Sequence, residues 1–328
     1  MVLHIKRKEK NSELRKCGVI LLGALFIALH MSGLCRAESV KQRAFASPEE
    51  AVKAMTEAVK SKDAKALEAI FGPGSKDLVS SGDPVADSAT FERFAALCGE
   101  KSRLMEVSAG KVVLQVGNED WPFPIPLVKK ENLWLFDAKE GKDEILARRI
   151  GRNELGAIQA CLAYVDAQRE YVLQSKAGGR LPEYAQKFIS DPGKKNGLYW
   201  DAREGERGSP LGPLFAEAAK QGYTPKEDNK PSPYYGYYYR ILKAQGKNAP
   251  DGAYDYVVKG KMIGGFAMVA YPAKYASSGV MTFVVNHDGV VYQKDLGQNT
   301  EKTAQAMKLF NPDGTWRKVE EKHGQAKK

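Results

Sequence analysis

The chain has 328 residues and a formal net charge of +10; 43% of its residues are hydrophobic and 27% charged. Those proportions exclude a disordered chain, and the length suggests two domains. Seven Lys/Arg and two Glu fall in residues 1–37, so half of the net charge sits there, and the remainder is too weakly basic for a nucleic-acid surface.

Lys6, Arg7, Lys8, Lys10, Arg15 and Lys16 form a basic start. The apolar run Cys17–Leu34 follows, and then Cys35-Arg36-Ala37. This order predicts a secretory signal peptide over residues 1–37 and a periplasmic location. A second small-residue site is Ala44-Phe45-Ala46. The apolar run also reaches spanning length, so an inner-membrane anchor over residues 17–34 is the alternative, and membrane contact is expected only through this segment. Two thiols remain beyond it, Cys98 and Cys161, and an oxidising compartment allows them either to pair or to stay as buried free thiols.

Ser47-Pro48-Glu49-Glu50 reads as a helix start, with Ser as N-cap, Pro at the first position and Glu at the third. Apolar residues continue at helical spacing to Phe71. Lys60-Ser61-Lys62-Asp63 interrupts them, and Gly72-Pro73-Gly74 stops them. A further helix is expected from about Asp87 to Cys98. The period then changes to two, and short strands are expected at Leu104–Val107, Lys111–Val116, Ile125–Val128 and Leu133–Phe136, with Glu131-Asn132 as a hairpin turn. The prolines of Trp121–Pro126 cannot donate to a ladder, so that piece is expected at an edge or as a crossing segment.

Asn153 reads as the cap of a long helix with Leu155, Ile158, Leu162, Val165 and Val172 on one stripe, ended by Gly178-Gly179. Within it, Glu170 places a charge on a helix otherwise committed to the core, as an ion pair would. A turn-rich region with one short helix, Leu214 to Gln221, comes next. Strands are expected at Tyr235–Leu242, Gly265–Tyr271, Met281–Asn286 and Val290–Asp295, and Asp288-Gly289 is a two-residue hairpin signature. The class is therefore α+β: a helix-plus-curved-antiparallel-sheet domain over 47–150, then a long-helix-plus-antiparallel-sheet domain over 151–320 and a polar tail over 321–328.

Three resemblances attach to these strings. SPEEAVKAMTEAVKSKDAKALEAIF and the order of elements after it resemble the nuclear-transport-factor-2-like cone, which implies a pocket for binding or catalysis. The enzymes of that family keep an Asp–His pair in the pocket, and residues 47–150 contain no histidine. ELGAIQACLAYVDAQREYVL, GGFAMVAYP and TFVVNHDGVVYQKDLG are similar to the globular part of pilins. QREY, GLYW, SPLGPL, PYYGYYYRIL and SSGVMTFVVNHDGVVYQKDLG resemble a bacterial family of exported proteins catalogued only as a domain of unknown function, which implies an envelope location.

The chemistry-bearing residues are few. His287 lies in Asn286-His287-Asp288-Gly289, where a tight turn accounts for every residue. No cofactor and no metal site are implied, since one imidazole without partners at ligand spacing is not a zinc site. The richest cluster is aromatic: Tyr234, Tyr235, Tyr237, Tyr238 and Tyr239 around Gly236, followed by Arg240. In a strand, Tyr235, Tyr237 and Tyr239 would share one face. With Trp200 and Arg203 they would offer rings and polar ends to a cell-wall polymer or an envelope protein, or else fill the core. The expectation is a non-catalytic periplasmic binding or envelope-assembly module. The alternatives are a carboxylate-dependent hydrolase of cell-wall glycan and an accessory subunit of a secretion or pilus-like system.

Overall fold

A computed structural model describes residues 41–177, 182–223 and 232–320. The leader, the Gly178-Gly179 stop and the tail from 321 lie outside the described residues. Ser39–Lys328 forms one compact unit, and its class is α+β as expected.

The helical opening is built as its caps dictate. Ser47 Oγ accepts from the Glu50 amide at 3.2 Å and starts α1 (Pro48–Lys60), which buries Ala51, Met55, Ala58 and Val59 on one stripe. Asp63 caps α2 (Ala64–Phe71), so the interruption separates two helices. A single turn, α3 (Lys76–Val79), leads to α4 (Pro84–Glu100), whose N-cap is Asp83. Asp83-Pro84 repeats the Ser47-Pro48 start signature, so α4 begins one turn before the expected Asp87.

The first sheet is antiparallel, in the order β1 (Ser102–Ser108), β2 (Lys111–Val116), β4 (Leu127–Lys130), β5 (Leu133–Phe136). The short β3 (Trp121–Pro122) pairs with the end of β2 off that path, so the proline segment joins the ladder only through two residues before it runs on to β4. The β4–β5 hairpin turns at Glu131-Asn132, with Glu131 at φ 56°. On β2, Val112, Leu114 and Val116 alternate inward onto the helices, and each such burial contributes roughly 1.5–3 kcal/mol.

α5 (Ala138–Ala177) is a single helix of 40 residues, about 60 Å long. It runs through the expected domain boundary at 150/151. Asn153 is therefore not an N-cap. It lies mid-helix, buried, and its Nδ2 donates to the Ser278 carbonyl at 2.9 Å. The preceding stretch from Ala138 is rich in helix formers, so the helix needs no new start at Asn153. The N-terminal half of α5 faces the first core through Ala138 and Ile145. The C-terminal half packs on the second core through Ala157, Cys161, Tyr164 and Val165.

After α6 (Gly212–Lys220), the second main sheet has the order β14 (Arg317–Lys318), β13 (Val291–Asp295), β12 (Met281–Asn286), β11 (Ala267–Pro272), β6 (Tyr237–Leu242). Two small ribbons, β7 (Ala244–Gln245) with β8 (Tyr254–Asp255) and β9 (Val257–Val258) with β10 (Lys261–Met262), decorate it. Both α5 and α7 (Thr300–Ala306) pack on β11, and all six residues of that strand are buried, as in a strand covered on both faces. The β12–β13 hairpin closes at the expected Asp288-Gly289, with Gly289 N donating to Asn286 O.

Candidate functional site

The five tyrosines do not lie on a single strand. Strand β6 begins only at Tyr237, because Tyr235 (φ 51°) and Gly236 (φ 69°) reverse the chain in a tight turn closed by Tyr234 and Tyr237. Tyr235 therefore does not share a strand face with Tyr237 and Tyr239. Its ring lies instead against Gly156 of α5, where an added Cβ would fall 2.5 Å from the ring. Tyr237 has no exposed surface and its hydroxyl donates to Met281 O at 2.9 Å. The Tyr239 hydroxyl donates to Tyr234 O at 3.1 Å, and burial holds its pKa well above the usual tyrosine value. Tyr234, Tyr235, Tyr238 and Tyr239 are half-buried and Tyr237 is fully buried.

Arg240 takes the other face of β6 and its guanidinium donates to the carbonyls of Ala304 and Met307, closing the end of α7. Trp200 is half-buried against the second core; its Nε1 is buried without a partner and Lys195 Nζ stands 5.7 Å from the ring. Arg203 is exposed in a loop. Cys98 and Cys161 are free, one in each hydrophobic core.

Of the QREY string, Gln168 and Tyr171 are buried, and Glu170 is only half-buried. Gln168 grips the Ala185 backbone at both its amide and carbonyl, each at 2.8 Å. Glu170 accepts from Gln174 on its own helix at 2.8 Å. Among the described residues, no group of three or more His, Cys, Asp or Glu is placed to hold a metal ion. His287 lies at its turn with Nε2 3.5 Å from the Tyr254 hydroxyl and 3.8 Å from Asp288.

A different feature emerges in the first half. Between α1–α4, the proline segment and the start of α5 lies a cavity of about 880 Å3. Its wall is largely apolar: Met55 and Val59 of α1, Leu67 and Phe71 of α2, Phe123 and Ile125 of the proline segment, and Ile145 of α5. Helix α4 shows why the space is open. It buries no residue fully, and Phe91, Phe94 and Leu97 stay half exposed where they face the cavity. Phe94 and Phe123 stand 5.1 Å apart and Phe71 and Phe123 6.3 Å, so aromatic rings line the wall. Protein interiors are otherwise close-packed, and unfilled walls forfeit dispersion contacts.

Four arginines line the same cavity: Arg93 of α4 and Arg148, Arg149 and Arg152 of α5. Two are committed. Arg149 is half-buried and donates to Asp77 O at 2.5 Å and Leu78 O at 2.6 Å; burial lowers its pKa, opposed by the Asp87 and Asp77 charges. Arg148 pairs with Glu144 at 2.6 Å and lies 5.3 Å over the Trp121 ring. Arg152 is different. Its side chain is exposed as a whole, yet desolvation of its guanidinium and then the positive charge of Arg93 lower its pKa. Glu100 and Glu119 line another part of the rim.

This cavity was out of reach of sequence reasoning beyond the cone resemblance, because no motif marks it. The only local trace is the i, i+4 pair Arg148/Arg152 on an exposed helix face.

Neither the comparison with curated proteins nor that with solved structures gives a match. The family described as Protein of unknown function (DUF2950) matches residues 42–319, which takes in the cavity and both sheets, and the chain belongs to that family.

Proposed function

We propose that this chain is an exported, non-catalytic binding module of the cell envelope that receives an apolar ligand in the cavity beneath α4. The carrying observation is the half-exposed row Phe91, Phe94 and Leu97 facing a largely apolar space of about 880 Å3. That volume lies within the range of small-molecule sites, which are concave, mostly apolar and rimmed by a few polar groups. The basic start and apolar run of residues 1–34 support export.

Binding of neutral Nile red to the unit from Ser39 onward tests the cavity, compared between the wild type and Leu97→Trp. The bulkier ring fills the space from a half-exposed position, so the dye signal should fall while the fold persists. Equal dye binding in the two proteins would refute the cavity as the site. Export is tested by the N-terminal sequence of the protein recovered from an envelope fraction, which should start after Ala37.

One observation favours a second reading, a carboxylate-dependent hydrolase. Glu100 and Glu119 both line the cavity, and neither forms an ion pair among the described residues. Hydrolysis of a wall glycan that is lost in both Glu100→Gln and Glu119→Gln would establish it in place of the binding role.

A further inference from the structure

The strongest unexplained feature of the rim is its pair of uncommitted arginines. Of the four that line the cavity, Arg149 is occupied by the carbonyls of Asp77 and Leu78, and Arg148 by Glu144 and the Trp121 ring. Arg93 and Arg152 form no ion pair among the described residues, although they come from different helices and meet at one cavity. Burial and then the positive charge of Arg93 lower the pKa of Arg152, and no carboxylate acts on it. Glu100 does not reach them: it sits seven residues beyond Arg93, about 10 Å further along α4. Glu119 follows β2, also lines the cavity, and forms no ion pair among the described residues. The rim thus carries both cationic and anionic groups over an apolar interior.

We infer that the cavity takes an amphiphile with an apolar chain and an anionic head, the head held between the Arg93 and Arg152 guanidinium groups. This rests on the cavity reading above and adds the ligand's charge and orientation. Guanidinium is a planar fork that pairs bidentately with a carboxylate or a phosphate. Two such groups at one cavity, neither paired with an acid, repel in the empty protein and are satisfied together by one anion. The chain would then lie along Phe91, Phe94 and Phe123. A carboxylate head and a phosphate head share this chemistry, so a free fatty acid and a single-chain phospholipid are the two sources.

Calorimetric titration of the unit from Ser39 onward decides between them, with each probe kept below its micelle concentration. The probes are palmitate, palmitoyl-lysophosphatidylglycerol, hexadecanol and hexadecyltrimethylammonium. At least one anionic chain should bind about tenfold or more tighter than hexadecanol, and the ammonium chain weakest. Binding by palmitate alone or by the lysolipid alone identifies the source. In Arg93→Gln/Arg152→Gln the anionic advantage should disappear while hexadecanol affinity stays, and circular dichroism confirms the fold. If hexadecanol binds as well as the anions, or the double variant keeps their advantage, the anionic head is wrong and the cavity reading survives. If no chain of any charge binds and Nile red does not bind either, both fall.

Discussion

The Tyr223 hydroxyl donates to Asp83 Oδ2 at 2.7 Å, joining residues 140 positions apart. The same oxygen accepts from Gly236 N at 2.9 Å, while Oδ1 accepts from Val85 N and Ala86 N at the start of α4. One fully buried carboxyl group therefore caps the helix over the cavity and pins it to the tyrosine turn of the second sheet. Asp83→Ala removes a cap worth about 1 kcal/mol and strands two buried donors at about 1–3 kcal/mol, so a loss of about 2–4 kcal/mol is expected. Tyr223→Phe should cost less, about 1 kcal/mol. Urea unfolding measures both. An Asp83→Ala protein with the wild-type midpoint would mean that the clasp does not hold α4.

Two glycines of α5 should respond in opposite directions. Gly151 has nothing within 4 Å of an added Cβ, whereas one on Gly156 would meet the Tyr235 ring at 2.5 Å. Alanine in a helix interior is favoured over glycine by about 1 kcal/mol. Gly151→Ala should raise the thermal midpoint by up to that amount. Gly156→Ala should lower it, because the ring it strikes is held by the turn and by Gln221 at 3.3 Å. The same sign for both substitutions in calorimetry would contradict the contact.

Alkali should unfold the second half. Tyr164 and Tyr237 are fully buried, and burial is the first cause of pKa values raised above the ordinary 10.0 in both. In Tyr237 the nearby Glu154 adds to the shift. A raised folded-state value means that the stabilisation is complete below the unfolded value and is lost as pH climbs above it. The unfolding free energy measured in urea should thus hold steady to about pH 9 and then fall, by about 1.4 kcal/mol per pH unit for each buried tyrosine. Tyrosinate absorbance should rise together with unfolding. Ionisation of all tyrosines near pH 10 in a protein that stays folded would overturn the burial.

Local chemistry explains most of what the amino-acid order disclosed. The Ser47 cap, the Glu131-Asn132 and Asp288-Gly289 turns, and the inward alternation of β2 depend on neighbours within a few residues. The errors arose where distant contacts overrode such signs. Asn153 looks like a cap, but its amide serves the Ser278 carbonyl 125 residues away. The five tyrosines look like a strand face, but Tyr235 and Gly236 adopt positive φ and turn the chain. The cavity was least legible of all, since it is the space that five helices and a proline segment leave between them. Arg93 and Arg152 meet there only because α4 and α5 converge on it.

The two thiols complete the expectations. Cys161 has no exposed surface, and burial pushes its pKa up to about 12, so its nucleophilic thiolate is scarce at neutral pH. Cys98 is half-buried on α4 beside the first core; its pKa is also raised by burial, partly offset by hydrogen bonds with Thr56 and Ser102. They belong to separate cores and are free. A thiol reagent should therefore modify Cys98 slowly in the native protein and reach Cys161 only on unfolding. Exposure to oxidant should leave a monomer whose electrophoretic mobility is the same with and without reductant. A reductant-sensitive compact form, lost in Cys161→Ala, would show that the pair closes and that the two cores move close enough to let it.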